Sequence, residues 1–330
     1  MTVRLAILGI SGIAHHYVKT IRSMSGVMVA AAWGRSPERT SAFAQTHGIP
    51  RVASTLEAVL NDPDVDGVLI LTEPARHIEL ATLALAHDKP MLIEKPLGVD
   101  LAACRQFAAR AQSSPLPIGV VSPYRFNPIL ETIKQQLDAL DPASPKLAQL
   151  TILWPRNREY YQQGSGWRAR EGAVLINQGI HWLDAMNWFF GAPVRIEARS
   201  LSSREFLRCA DSSAALIAYA HNATLLVAAG TFVAQKRPDE LRIHHATGTF
   251  DYTRMAGPPP PRNLREKIAR RLLGERIWPP ALPDPMQRQL EDFIQAIQTH
   301  RPPKVTLAHG LLALEVALAA SGLDGENRTG

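Results

Sequence analysis

The chain has 330 residues, 46% hydrophobic and 20% charged, a balance that excludes an intrinsically disordered chain. It is also too long for one small core, so two domains are expected. Thirty-six Lys and Arg against 30 Asp and Glu leave a formal charge of +6, which favours anionic ligands such as phosphates. No aromatic-interleaved basic groove or zinc spacing accompanies that charge, so nucleic acid is not the expected partner. Cys104 and Cys209 lie far apart without metal-ligand spacing, which argues against a disulfide framework and for a reducing cytoplasm. The opening apolar run is too short for a secretory core, and no later run is long and charge-free enough to span a bilayer.

Val3 to Leu8 reads as a strand, followed at once by Gly9-Ile10-Ser11-Gly12-Ile13-Ala14 and a helical segment, His15 to Met24. Strand, glycine-rich turn and helix amino terminus in that order aim backbone N–H groups and the helix dipole at a pyrophosphate. Ser11 stands where the dinucleotide fingerprint has its second glycine, and its Cβ restricts the approach of a phosphate; Gly12 beside it offers the room.

A second strand, Val27 to Trp33, ends at Gly34-Arg35-Ser36-Pro37-Glu38-Arg39. An acid at this strand end would bind the ribose 2′-hydroxyl of NAD, whereas arginine accommodates the 2′-phosphate of NADP. The acid is missing, and Arg35, Ser36 and Arg39 take its place, so NADP is preferred to NAD. Ser36 before Pro37 is also a helix start signal, and the two readings coexist.

The alternation continues through a helix Leu56 to Leu60, a strand Gly67 to Leu71, the turn Thr72-Glu73-Pro74-Ala75-Arg76-His77 and a helix Ile78 to His87. A strand Met91 to Ile93 stops at Glu94-Lys95-Pro96, then come a helix Leu101 to Gln112 and a strand Leu116 to Val121. This spacing implies an α/β fold with a Rossmann-like, doubly wound parallel sheet over residues 1–122. Thr72 and Lys95 then fall at carboxyl strand ends beside the glycine turn, where open α/β sheets bind ligands. A solvated surface turn is the competing reading for Lys95.

The remainder, 123–330, reads as an α+β domain with a mostly antiparallel open sheet. Tyr124-Arg125-Phe126-Asn127-Pro128 precedes a helix to about Leu140, Asp141 to Pro145 is the linker candidate, and Lys146 to Trp154 is a strand. The loop Arg156 to Arg168, with Tyr160, Trp167 and Arg168, suits a polyhydroxylated ligand through aromatic faces and guanidinium donors; a mobile surface loop is the alternative. On the predicted helix Glu171 to Phe190, Asn177, His181, Asp184 and Trp188 follow one another at four, three and four residues and share a face. Such a stripe on an apolar helix is costly unless its groups are paired or used. From spacing alone, a lone buried histidine is more often a satisfied core residue than a catalyst, so His181 reads first as core and only second as an acid/base.

Segments 194–201, 213–220, 224–232, 241–245 and 249–252 read as strands, one face covering the site and the other free for a second subunit. Residues 262–276 suggest a basic amphipathic helix, either solvated or in contact with a diphosphate, an acidic glycan or a membrane surface. Helices 287–299 and 307–320 follow, the last expected to pack on the first domain.

The glycine turn, Thr72-Glu73-Pro74 with His77, Glu94-Lys95-Pro96, and Asn177-Gln178-Gly179-Ile180-His181 followed by Asp184 together resemble the Gfo/Idh/MocA oxidoreductases, the glucose-fructose oxidoreductase and inositol dehydrogenase group. The resemblance implies an NAD(P)-dependent enzyme acting on a sugar, polyol or nucleotide sugar, with Lys95 beside the nicotinamide, His181 as general acid/base and Asn177 orienting substrate or imidazole. It extends cofactor contacts over Gly9, Ser11, Gly12 and Ile13, over Gly34, Arg35, Ser36 and Arg39, and over Thr72, Glu73, His77, Glu94, Lys95, Pro96, Trp167 and Arg168. Substrate contacts fall to Lys95, Tyr124, Arg125, Tyr160, Asn177 and His181, with no metal and a homodimer or homotetramer formed through the second sheet. Ser11, Glu73 and Ala173 depart from the family pattern. Two readings remain beside it: a ketoreductase of nucleotide-linked ketosugars, and a non-catalytic NADP-sensing regulator of the same fold.

Overall fold

The computed structural model describes residues 2–255 and 283–323. The basic segment 262–276, with its expected helix, lies outside the described residues. The first sheet contains β1 (Val3–Leu8), β2 (Val27–Trp33), β3 (Arg51–Val52), β4 (Gly67–Ile70), β5 (Met91–Ile93) and β6 (Ile118–Val120), all parallel in the order β3-β2-β1-β4-β5-β6. Helices cover both faces of this sheet, so β1, β4 and β5 are near-continuous apolar runs rather than alternating ones. The order reverses between β1 and β4, which opens a crevice at their carboxyl ends.

The helices begin where local chemistry starts them. In α2 (Pro37–Thr46) the Ser36 hydroxyl accepts from the Arg39 N–H with Pro37 at the first position, and in the helix Leu101–Ala111 the Asp100 carboxylate accepts from the Ala103 N–H. α1 (Gly12–Arg22) has no side-chain cap: of its first three N–H groups Ala14's donates to the Ser11 carbonyl, and those of Gly12 and Ile13 remain at the crevice without a side-chain acceptor.

The second sheet contains β7 (Lys146–Leu153), β8 (Pro193–Leu201), β9 (Ser212–Tyr219), β10 (Ala223–Gly230), β11 (Glu240–His245) and β12 (Gly248–Asp251), in the order β12-β11-β7-β10-β9-β8. Its pairs are antiparallel except β7 with β10, so the sheet is mixed but mostly antiparallel. β7 alternates strictly, burying Ala148, Leu150 and Ile152 and turning Leu147 and Gln149 outward. The expected linker is anchored: Lys146 Nζ donates to the carbonyls of Asp141, Pro142 and Ser144.

The predicted helix over 171–190 is interrupted. A short helix ends at Arg170, a wide π turn runs from Leu175 to Gly179, and the regular helix Ile180–Phe190 follows. Gly179 fits its place because a Cβ there would stand 2.7 Å from Leu175 Cδ2. A π turn inside a helix presents side chains that a regular turn would not, and this one contains Asn177.

Both carboxyl-terminal helices return to the first domain. Leu290 and Phe293 of Pro285–Thr299 pack with Leu5, Ile7 and Val29, whereas Leu307 and Leu314 of Leu307–Ala319 join Leu8, Ile70 and Ile93 on the other side of the sheet. Ala313, Val316 and Ala317 of that last helix belong to the core of the second sheet, so one helix staples the two layers. Sequence expected this of the last helix only.

Candidate active site

A cleft of about 840 Å³ runs from the glycine turn to the π turn and is walled by both sheets' connections. Its first wall begins at Gly9, whose φ of +105° and fit against Thr72, where a Cβ would stand 2.5 Å from Cγ2, admit only glycine. A Cβ on Gly12 would meet nothing within 4 Å, so the helix amino terminus is open to the cleft. Ser11 Oγ and Thr72 Oγ1, both in this wall, are buried without a hydrogen-bond partner. Two orphaned hydroxyls beside an uncapped helix amino terminus fit a diphosphate, whose oxygens would satisfy them.

Beyond the turn the cleft meets Gly34, Arg35, Ser36 and Arg39 from the end of β2 and Glu73 from the end of β4. Arg35 Nη2 lies 3.0 Å from Glu73 Oε1. The Ser36 hydroxyl donates to Glu38. No hydrogen bond or ion pair engages the Arg39 guanidinium among the described residues.

At the other end stand Glu94 and Lys95 from β5, with Tyr160, Trp167, Arg168, Asn177 and His181 from the second domain. Lys95 Nζ donates to the Asn177 carbonyl at 2.7 Å. Burial draws the Lys95 pKa below its usual value; Glu94 opposes this, and Arg168 and Arg156 reinforce it. Burial likewise raises the Glu94 carboxyl, against the Lys95 charge and hydrogen bonds from Tyr17 Oη (2.9 Å) and the Lys95 N–H (3.0 Å). His181 is held well below the ordinary histidine value by burial and then by the Lys95 charge, so it is neutral near pH 7. Neither of its ring nitrogens has a hydrogen-bond partner among the described residues, while its ring lies 5.5 Å from that of Tyr124. A half-buried, neutral, unengaged imidazole beside an ammonium group can take a proton from a hydroxyl and return it. Tyr160 Oη accepts from Asn177 Nδ2 (2.9 Å) and Gln178 Nε2 (3.3 Å), leaving its own proton available to a ligand.

Four of the expected contact residues lie outside the cleft wall. His77 is fully buried outside the cleft, with Nδ1 2.9 Å from the Pro96 carbonyl and Nε2 3.0 Å from the Thr72 carbonyl; it joins two strand-end turns instead of touching a ligand. Pro96 is absent from the cleft wall that Glu94 and Lys95 line, and its carbonyl lies against His77 Nδ1. Arg125 makes a two-pronged ion pair with Asp184, both distances 2.8 Å, and is 4% exposed. Tyr124 stays behind His181, its hydroxyl 3.5 Å from Asp239 Oδ2. Arg125 and Tyr124 therefore support the wall from behind. Asp184 is engaged as a structural partner, also accepting from Ser122 Oγ.

Several residues escaped the sequence reading. Met286, from the first turn of a carboxyl-terminal helix, lines the cleft, and no local signal places it there. Asp239 accepts from both the Trp154 (2.7 Å) and Trp182 (2.8 Å) indoles, which fixes the aromatic layer under His181. It sits in a polar turn that resembles any solvated loop. Among the described residues no three His, Cys, Asp or Glu side chains gather to hold a metal, and no helix is long and apolar enough to cross a membrane.

Comparison with known proteins fits this arrangement. Residues 3–121 match the family described as oxidoreductase family, NAD-binding Rossmann fold, and residues 131–251 match the GFO/IDH/MocA C-terminal domain. Trans-1,2-dihydrobenzene-1,2-diol dehydrogenase of Bos taurus is 29% identical over 60% of this chain and 59% of its own length, and that of Oryctolagus cuniculus is 31% identical over 56% and 57%. The aligned stretch thus spans about three fifths of these relatives' length. The WlbA dehydrogenase from Bordetella pertussis, in complex with NADH and UDP-GlcNAcA, superposes with a TM-score of 0.81 at 17% identity over 99% of this chain and 97% of that one. The apo scyllo-inositol dehydrogenase from Lactobacillus casei gives 0.78 at 19%, over 99% and 97%.

Proposed function

Since the chain belongs to the Gfo/Idh/MocA oxidoreductases, with their NAD-binding Rossmann fold, we propose that it transfers a hydride reversibly between a nicotinamide and a secondary alcohol carbon of a sugar, polyol or nucleotide sugar. The observation that carries this reading is the meeting of Lys95 from the first domain and His181 from the second in one cleft that begins at an open glycine turn. Relatives named as a diol dehydrogenase, an inositol dehydrogenase and a dehydrogenase crystallised with a nucleotide sugar support the substrate class.

Gly9, Ser11, Gly12, Ile13 and Thr72 hold the diphosphate; Gly34, Arg35, Ser36 and Arg39 receive the adenosine end and favour NADP over NAD; Trp167 and Arg168 close the opposite wall. When bound, the nicotinamide supplies the hydride acceptor or donor. In oxidation the neutral His181 takes the hydroxyl proton as the C–H electron pair leaves with the hydride; in reduction it returns that proton. Lys95 donates to the substrate oxygen and favours its alkoxide. Asn177 and Tyr160 orient the remaining hydroxyls.

The outer face of the second sheet, where Leu147, Leu216 and Leu226 are each about 40% exposed and Leu216 pairs with Leu226 in register, supports a homodimer or homotetramer built on that face. Two buried free thiols, Cys104 and Cys209, suit a reducing cytoplasm.

The reading is tested by following nicotinamide absorbance with NADP or NAD across a panel of sugars, polyols and nucleotide sugars. Turnover that disappears in His181→Ala supports it. Dinucleotide binding with no turnover on any substrate would favour the sensor instead.

A further inference from the structure

The Arg35–Glu73 pair is not part of the reaction, yet it sits in the cofactor wall. β2 and β4 flank β1 in the first sheet, so the residues just past their ends face each other across the carboxyl end of β1. Neighbouring strands are about 4.8 Å apart, which puts the two chain segments roughly 10 Å apart. The side chains close that span: Arg35 Nη2 reaches Glu73 Oε1 at 3.0 Å, directly past the glycine turn. Neither end is free to drift. A Cβ on Gly34 would stand 2.7 Å from Thr40 Oγ1, so the chain before Arg35 is pressed against α2. Glu73 precedes the buried Pro74, and its carbonyl accepts from the Arg76 N–H at 3.0 Å.

The charges at this end are unequal in kind. Arg76 is held by Glu79 and lies over the Trp33 ring, and Arg39 has no partner among the described residues. Glu73 is the one carboxylate in the described wall at this end, and its side chain is 19% exposed against 67% for Arg35. A 2′-phosphate entering here must draw Arg35 away from Glu73 and then lie beside a partly buried negative charge. An unphosphorylated ribose meets no such opposition, and its 2′-hydroxyl can donate to the same carboxylate.

We propose that Glu73 is a specificity-determining residue: its carboxylate engages Arg35 and restrains the preference for NADP, so that the enzyme also accepts NAD. This rests on the dinucleotide-binding reading above but not on the substrate or on catalysis.

The test is fluorescence titration of NADPH and NADH into the unliganded protein and into Glu73→Gln, which keeps the shape and removes the charge. NADPH should bind Glu73→Gln about tenfold more tightly, as expected for deleting one like charge near the phosphate, while NADH changes little or weakens. In an Arg35→Ala background the same substitution should shift the NADPH-to-NADH affinity ratio less, since part of its effect is the release of Arg35. If Glu73→Gln does not fold, Glu73→Ala is measured the same way, with circular dichroism confirming the fold. A ratio that stays constant, or moves toward NADH, overturns the role of Glu73 while leaving the oxidoreductase reading intact. If the native protein binds neither dinucleotide, the cofactor reading itself fails, and this one with it.

Discussion

Lys95 Nζ donates a 2.7 Å hydrogen bond to the backbone oxygen of Asn177, 82 positions further along the chain. The amine comes from a strand end of the first sheet and the acceptor from the π turn of the second domain, so the bond ties the two walls of the cleft at the point where chemistry is proposed. A backbone acceptor leaves the ammonium with two further donors for a substrate oxygen.

His181→Ala should reduce turnover by about 100- to 10,000-fold, the usual contribution of a positioned acid/base. NADPH affinity should stay within a few fold, because the imidazole makes no hydrogen bond that shapes the cofactor wall. Steady-state rates and fluorescence titration on one preparation check both parts. Near-normal turnover would remove His181 from the mechanism.

Both titrating groups are displaced toward acid. Because burial lowers the His181 pKa, the neutral base persists below the ordinary histidine value, so kcat/KM for oxidation should remain flat through pH 6.5 and decline only in more acidic solution. Because burial also lowers the Lys95 pKa, the alkaline decline should begin below the ordinary lysine value of 10.5 as the ammonium loses its proton. A pH profile of kcat/KM with the best substrate measures both limbs, and an acid limb centred at or above 6.5 would contradict the burial argument.

Asp184 and Arg125 are 2% and 4% exposed and paired through two hydrogen bonds. Removing one member leaves the other charge buried and unmatched, so Asp184→Ala should cost about 3–5 kcal/mol of stability. Urea denaturation followed by tryptophan fluorescence reads this directly. A loss under about 1 kcal/mol would mean that solvent reaches the pair.

Gly9→Ala combines a left-handed φ of +105° with a Cβ 2.5 Å from Thr72 Cγ2 and 2.8 Å from its backbone nitrogen. Backbone strain of this kind costs about 1–3 kcal/mol, and relieving the contact must shift Thr72 away from the diphosphate position. We expect a lower melting temperature and NADPH affinity reduced by an order of magnitude or more. Unchanged affinity would place the diphosphate elsewhere.

Local sequence alone determined the alternating strands and helices of the first sheet and the turns between them. Short apolar runs ended by glycine, proline or a charge read as buried strands meeting turns, and their regular alternation with helices implies parallel pairing, so the glycine turn and Glu94-Lys95-Pro96 were legible with their neighbours. Tertiary structure decided which side chains share a cavity. His77 and Arg125 have the same chemistry as cofactor or substrate ligands, but the carbonyls of Thr72, in its own turn, and of Pro96, in another, consume the first, and Asp184 consumes the second; partners as far along the chain as Pro96 and Asp184 leave no trace in a local pattern. The π turn that sets Asn177, the Asp239 carboxylate under two indoles and Met286 in the cleft depend likewise on contacts across the fold. Spacing along a chain fixes which face of an element a residue occupies, whereas burial and hydrogen-bond competition fix whether that residue remains free to act.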